Sequence, residues 1–227
     1  FARSVHHFAD EVVMQLTGEQ GIAQTRVLFT RGKGEQRELY VVDFDGENLR
    51  QVTRNNSLNL TPRWSPDASK VAYTSYYRGR QRLMLLSSAS GQSSRVGDFQ
   101  GLNLGPAWSP DGRELAVTLS RDGNSEIYRL KPDGTVIQRL SFEPSIECSP
   151  CWDPSGQQIA FTSDRTGSPQ LYVMDKVGGG RRRITFEGTY NESAAWSPRV
   201  ARWRSRQFAA TLSWPSWYQR MRKSAAS

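Results

Sequence analysis

"PAWSPDGRELAVTLS", residues 106–120, is the stretch that decides the fold. Its frame occurs earlier as "PRWSPDASKVAYTS" at 62–75 and later as "PCWDPSGQQIAFTS" at 150–163, and it opens once more as "AAWSP" at 194–198. Trp64, Trp108, Trp152 and Trp196 therefore stand 44 residues apart. The same step links Val71, Leu115 and Ile159, then Tyr40, Met84, Tyr128 and Tyr172, then Thr53, Gly97, Ser141 and Thr185. A fixed period of roughly 40–45 residues belongs to β-propeller blades. Within one unit, "PAW", "ELAVTLS", "EIYRLK" and "VIQRLS" alternate at a period of two, and turn residues separate them. Proline pre-sets φ in "SPDG", aspartate caps the turn and glycine takes positive φ. Each unit reads as four short antiparallel strands, and a lone blade cannot bury both faces until it stacks on its neighbours. The four tryptophans fit that packing, one per blade at one slot.

The fold class expected is all-β: a partial, open β-propeller of about four blades, preceded by an α-helix. A first partial blade spans 26–58 and full blades span 59–102, 103–146 and 147–190, with the start of another at 191–198. The first lacks its inner strand, because one period before Trp64 lies Gln20 in "GEQGIAQTR". Phe1, Val5, Phe8, Val12 and Leu16 mark one face of a helix that Gly18 can stop. Residues 1–25 thus read as the terminal helix and linker of a preceding α/β domain, with more chain expected upstream. His6 and His7 are adjacent and point to different sides, so surface and half-buried roles fit them better than a metal pair.

The blade pattern is lost after Pro198, where "RVARWRSRQF" replaces the expected glycine and apolar strand. The neighbouring codon frame permits Gly-Arg-Glu-Val-Ala-Phe-Thr-Ser there, in register with Gly112 and Ala116. Residues 199–227 are read as an aberrant basic tail, produced by a frameshift or else a genuine unusual tail, and expected to lie outside the propeller. The tail holds seven Arg or Lys and no acid, which leaves only +1 of the chain's +8 for the other residues. Nucleic-acid or membrane binding is disfavoured on that ground, because the basic character is not the propeller's. No apolar run approaches membrane-spanning length.

Several stretches resemble the TolB family. "ADEVVMQLTGEQGIAQTRVLFT" (9–30) looks like its junction between N-terminal domain and propeller, and "WSPDGRELAVTLSRDGNSEIY" (108–128) like one of its blades. "IAFTSDRTGSPQLYVMDKVGGGRRRITFEGTYNESAAWSP" (159–198) is the most specific match. The sequence departs at Ala68, at "DPSG" and wholly after Pro198. The resemblance implies a periplasmic two-domain protein with a six-bladed propeller; the chain itself, if stable, is expected to be a monomer. It also implies a non-enzymatic role in the Tol–Pal envelope system, supporting outer-membrane integrity and cell division, with the peptidoglycan-associated lipoprotein and other Tol-system proteins as partners. The enzyme-class alternative is the propeller of a prolyl-oligopeptidase-like serine peptidase lacking its hydrolase domain, since such propellers share "SPDG".

No catalytic, metal or cofactor site is expected. There is no G-x-S-x-G elbow, and Asp67 and Asp111 sit in turns. Cys148 and Cys151 form a single C-x-x-C in repeat slots, which suits small-residue packing or a local disulfide rather than zinc. The loops entering each inner strand, "SLNLTP", "GLNLGP", "IECSP" and "YNESA", should share one rim. Their residues Asn59, Asn103, Gly105, Glu147, Cys148, Ser149 and Asn191 are the expected partner contacts, with turn capping as the alternative role.

Overall fold

The computed structural model describes residues 2–196 and 203–207, the side chains of 2, 3 and 203–207 excepted. The fold falls into two compact units, Phe1–Asn59 and Leu60–Ser227.

In the first unit, α1 runs Ala2–Thr17 and stops at Gly18, whose φ of 71° is a left-handed conformation and whose N–H bonds the Met14 carbonyl at 2.8 Å. Buried Asp10 ties the linker to this helix by accepting from the N–H groups of Ala23 (2.7 Å) and Gln24 (3.0 Å). The strands β1 (Arg26–Lys33), β2 (Gln36–Asp43) and β3 (Arg50–Gln51) form one antiparallel sheet in the order β1-β2-β3. These correspond to the second, third and fourth strands of a blade, as the missing inner copy predicted.

The second unit is built from repeated sheets. One is β4 (Asn59–Trp64), β5 (Lys70–Ser75), β6 (Arg82–Ser87) and β7 (Ser93–Arg95). Next come β8 (Asn103–Trp108), β9 (Leu115–Leu119), β10 (Glu126–Leu130) and β11 (Val136–Arg139). Then follow β12 (Glu147–Trp152), β13 (Gln158–Ser163), β14 (Gln170–Asp175) and β15 (Arg182–Arg183). Each is a four-stranded antiparallel sheet in simple sequence order.

A fourth sheet pairs β16 (Asn191–Trp196) with β17 (Trp203–Gln207). Backbone pairing thus recurs at 203–207, beyond the point where the side-chain pattern of the blades is lost. Trp203 pairs with Trp196, as Leu115 pairs with Trp108 and Ile159 with Trp152. Backbone pairing with the edge of β16 needs no particular side chains, and "WRSRQ" contains neither Gly nor Pro to oppose it. The rest of the expected aberrant tail lies outside the described residues.

Sheets stack because each strand presents large residues to one side and small ones to the other. On β9, Leu115, Val117 and Leu119 face back onto Ala72, with Trp108 and Tyr128 in the same cluster. Ala107 and Ala116 face forward and receive Trp152, Ile159 and Phe161 of the following sheet. Ala160 in turn shares a cluster with Ala194 and the half-buried Trp196. Trp108 also donates from Nε1 to the Arg63 carbonyl (3.3 Å), and Trp196 to that of Cys151 (3.2 Å).

The turn joining the first two strands of each four-stranded sheet is held by a serine–aspartate pair. Ser65 donates to Asp67 and Ser109 to Asp111, both at 2.6 Å. These bonds hold the Asp67 carboxyl down at about 2, below the ordinary carboxylate range. In "DPSG" the two residues exchange places, Ser155 donating to Asp153. Asp153 then accepts the Gln158 N–H (2.8 Å), as the Ser109 hydroxyl accepts that of Glu114 (2.9 Å). The departure at 153–156 keeps the turn.

The next slot is left-handed in every copy: Gly112 at φ 69°, Gly156 at 70°, and Ala68 at 55°. A β-carbon costs energy there, partly offset because Gly is costlier to order. Ala68→Gly should therefore stabilise the chain by about 0.5–1 kcal/mol. Gly112→Ala should destabilise it by a similar amount, since its added β-carbon meets Pro66 only at ordinary contact, 3.6 Å. Urea unfolding measures both, and the opposite order would contradict the turn geometry.

Candidate functional site

In an antiparallel sheet of four strands, the start of the first and third and the end of the second and fourth share one edge. Two sets of loops therefore gather on one rim of the second unit. Loops 76–81, 120–125 and 164–169 join second to third strands, and loops 96–102, 140–146 and 184–190 lead into the next inner strand. β12 packs beside both β8 and β16, which identifies these as the inner strands.

The structure brings Asn103, Gly105, Glu147, Cys148, Ser149 and Asn191 to the inner part of this rim, with Asn59 at the end of the first unit, but turns most of the set inward. Asn59, Asn103, Glu147, Cys148 and Asn191 are all buried, between 0 and 2 % exposed. The asparagines cap the loops preceding them. Asn103 Nδ2 donates to the carbonyls of Phe99 (3.2 Å) and Gly101 (3.0 Å), Asn191 Nδ2 to that of Glu187 (2.8 Å) and Asn59 Nδ2 to that of Ser57 (3.3 Å). Gly105 and Ser149 are half-buried and occupy left-handed bulge positions, φ 57° and 54°, at the slot also held by Thr61 and Ser193. They are the accessible members of the set. Both cysteines are free thiols, and burial pushes that of Cys148 well above the ordinary range.

A second repeated device escaped the sequence reading. One repeat slot near the start of the third strand holds Glu38, Glu126 or Gln170 in three of the sheets. Its side chain accepts from a hydroxyl after the fourth strand: Thr53 to Glu38 at 2.5 Å, Thr185 to Gln170 at 2.7 Å, and Ser141 to Glu126. The hydroxyl oxygen itself accepts the N–H of Leu39, Ile127 or Leu171 at 2.8–2.9 Å. The inner-strand asparagine then donates to the acid or amide, Asn59 to Glu38 and Asn191 to Gln170, both at 3.1 Å. The 44-residue step of Thr53, Ser141 and Thr185 was visible, but its partner slot mixes acid, amide and Arg82 and so shows no pattern. Where Arg82 and Gly97 replace the pair, Gln81 substitutes, its Oε1 accepting the Asn103 N–H at 3.2 Å.

One sheet alters the device. Position 147 is glutamate where its copies are asparagine, and the loop carbonyls of Glu143 and Ser145 are capped instead by Asn124. Glu147 Oε1 accepts from Ser145 (2.6 Å) and Ser163 (2.7 Å) and meets the Arg165 guanidinium at 3.1 Å. Its Oε2 is buried with no partner among the described residues. Glu126 is also fully buried and pairs with Arg139 at 3.1 Å. Burial raises both carboxyls above the ordinary glutamate range, against the hydrogen bonds that lower them.

Stacked four-stranded sheets with a 44-residue period, joined tryptophan to alanine across each interface, define a β-propeller repeat protein. The model of the TolB beta propeller domain matches residues 13–203, and the chain belongs to that family. It is 41% identical over 83 residues to the Tol-Pal system protein TolB of Desulfosudis oleivorans, a match covering 37% of this chain and 19% of that protein. It is similar to the crystal structure of TolB from Acinetobacter baumannii, with a TM-score of 0.82 and 31% identity, over 91% of this chain and 53% of that one. The chain thus spans about half or less of the length of these two relatives. A prolyl endopeptidase aligns at 15% identity with a TM-score of 0.54, over 85% of this chain and 36% of that one, which speaks to the fold alone.

The buried acids set a pH dependence of inverted sign. A carboxyl whose folded pKa is raised binds its proton more tightly folded than unfolded. Stability then grows as pH falls through the window between the raised value and the unfolded value near 4.5. Urea midpoints should therefore rise from pH 7 toward pH 5, and the rise should be smaller in Glu147→Gln. Identical pH profiles for the two proteins would show that Glu147 does not titrate in that window.

Proposed function

We propose that this chain is a non-enzymatic protein-interaction module of the Tol–Pal envelope system. It works in the periplasm and docks the peptidoglycan-associated lipoprotein on the rim formed by the inner-strand loops, so supporting outer-membrane integrity and cell division. The observation that carries this reading is the likeness to TolB from Acinetobacter baumannii over nine-tenths of the chain. The repeated rim adds physical support, because a stacked scaffold holds its loops rigidly, and rigid loops on a scaffold are where partners are bound. Gly105 and Ser149 offer backbone and small side chains for contact, while buried Asn59, Asn103, Glu147, Cys148 and Asn191 fix the shape of the loops around them.

Isothermal titration of the lipoprotein tests the reading. A full-length family member altered at the positions matching Gly105 and Ser149 should bind at least ~10-fold more weakly, the effect of losing interface contacts worth more than about 1 kcal/mol. Unchanged affinity would place the contact elsewhere. The 227-residue chain itself, with only part of a ring, should bind weakly, because a stable interface needs about 800 Å² from each partner.

A further inference from the structure

The +1 that remains outside the basic tail is spread unevenly along the chain. Between Asp67 and Asp98 stand Lys70, Arg78, Arg80, Arg82 and Arg95, and no acid. Arg78, Arg80 and Arg82 crowd onto loop 76–81 and the first residue of β6. The copies of this loop in the next two sheets neutralise their arginines, Arg121 with Asp122 at 3.4 Å and Arg165 with Glu147 at 3.1 Å. Arg95 is likewise paired, with Asp98 at 3.1 Å. Among the described residues Arg80 and Arg82 have no hydrogen bond or ion pair, and Arg78 has only the Tyr77 ring, with its Cζ 5.1 Å from the ring centroid. The acids of the adjoining loops, Asp98 and Asp122, are already engaged and Glu126 is buried on Arg139, so these three cations stay uncompensated within the second unit.

Arg82 occupies the slot where Glu38, Glu126 and Gln170 accept from a hydroxyl, and that hydroxyl is itself replaced by Gly97. Its half-buried guanidinium therefore loses water without gaining an acceptor, a costly state for a charge. Arg80 is extended, φ −118° and ψ 137°, so residues 80 and 82, two apart along an extended chain, project to the same side. The loop is held in shape from within: Gln81 Nε2 donates to the Tyr76 hydroxyl (3.0 Å), while its Oε1 accepts the Asn103 N–H (3.2 Å). Arg78 is left-handed, φ 57°, which its copies Asp122 and Thr166 are not. A β-carbon in that region costs energy, and such strain clusters at sites that hold ligands.

We propose that Arg78, Arg80 and Arg82 bind a phosphomonoester dianion, either free or carried on a lipid headgroup. A guanidinium fork matches phosphate oxygens two at a time. A group with three oxygens and nearly two charges meets several cations at once, where a carboxylate brings a single charge. The site lies on loop 76–81 rather than on the inner-strand loops and does not rest on the lipoprotein reading.

The test titrates the full 227-residue chain with inorganic phosphate and reads the NMR amide shifts of residues 76–82, so that the basic tail does not contribute. Phosphate should saturate these shifts, acetate should bind at least ~10-fold more weakly, and sodium chloride should weaken both. Arg78→Gln with Arg80→Gln, both exposed, should cost at least ~10-fold in phosphate affinity, the worth of a hydrogen bond to a charged group, with the melting temperature unchanged. Adding Arg82→Gln should abolish the shifts. No response to phosphate, equal affinity for acetate, or an unaffected double variant would each overturn the proposal. Phosphatidylcholine vesicles containing a fifth phosphatidic acid separate the two sources. Sedimentation with them that the variants lose assigns the headgroup, and sedimentation alike in all three proteins, with free phosphate still bound, assigns the soluble ion.

Discussion

Everything in the second unit depends on a large residue of one blade meeting a small residue of the one before it. Trp152, Ile159 and Phe161 sit on Ala107 and Ala116, and Trp108 and Leu115 on Ala72. A close-packed interior tolerates little change in volume, so this meshing fixes the distance between sheets. It also requires the repeat length to be constant, because a one-residue slip would turn the large face of a strand toward the wrong neighbour. The unbroken 44-residue step is the trace of that requirement in the chain.

The packing surfaces were legible for the same reason. Apolar slots such as Leu115 and Ile159 repeat because each meets the same neighbour, and "SPDG" repeats because each turn needs a capping carboxylate and a left-handed residue. Even the exchanged order in "DPSG" preserves the bonds, which explains why a departure in sequence leaves no departure in structure. The tail shows the limit of that reasoning: its side-chain pattern is lost, yet the backbone of residues 203–207 pairs with β16.

The rim was less legible. Asparagine at 59, 103 and 191 repeats visibly, yet repetition does not say whether a polar side chain faces outward or caps a loop from within. Burial decided it. The acid-and-hydroxyl pins were hidden more deeply, because one geometric slot accepts Glu38, Glu126 or Gln170, and one sheet does without it altogether. Hydrogen-bond chemistry conserves the role of an acceptor more closely than the identity of the residue that supplies it.

The exchange around Glu147 has a consequence for how such repeats change over time. Asn124 supplies amide hydrogens to two loop carbonyls that an asparagine at 147 would otherwise cap, and so leaves that slot open to an acid paired with Arg165. Arg121, the copy of Arg165 one period earlier, stands in the same blade as Asn103, so an arginine at that slot is not tied to an acid on the inner strand; what the acid at 147 draws on is Asn124, which keeps the two loop carbonyls paired.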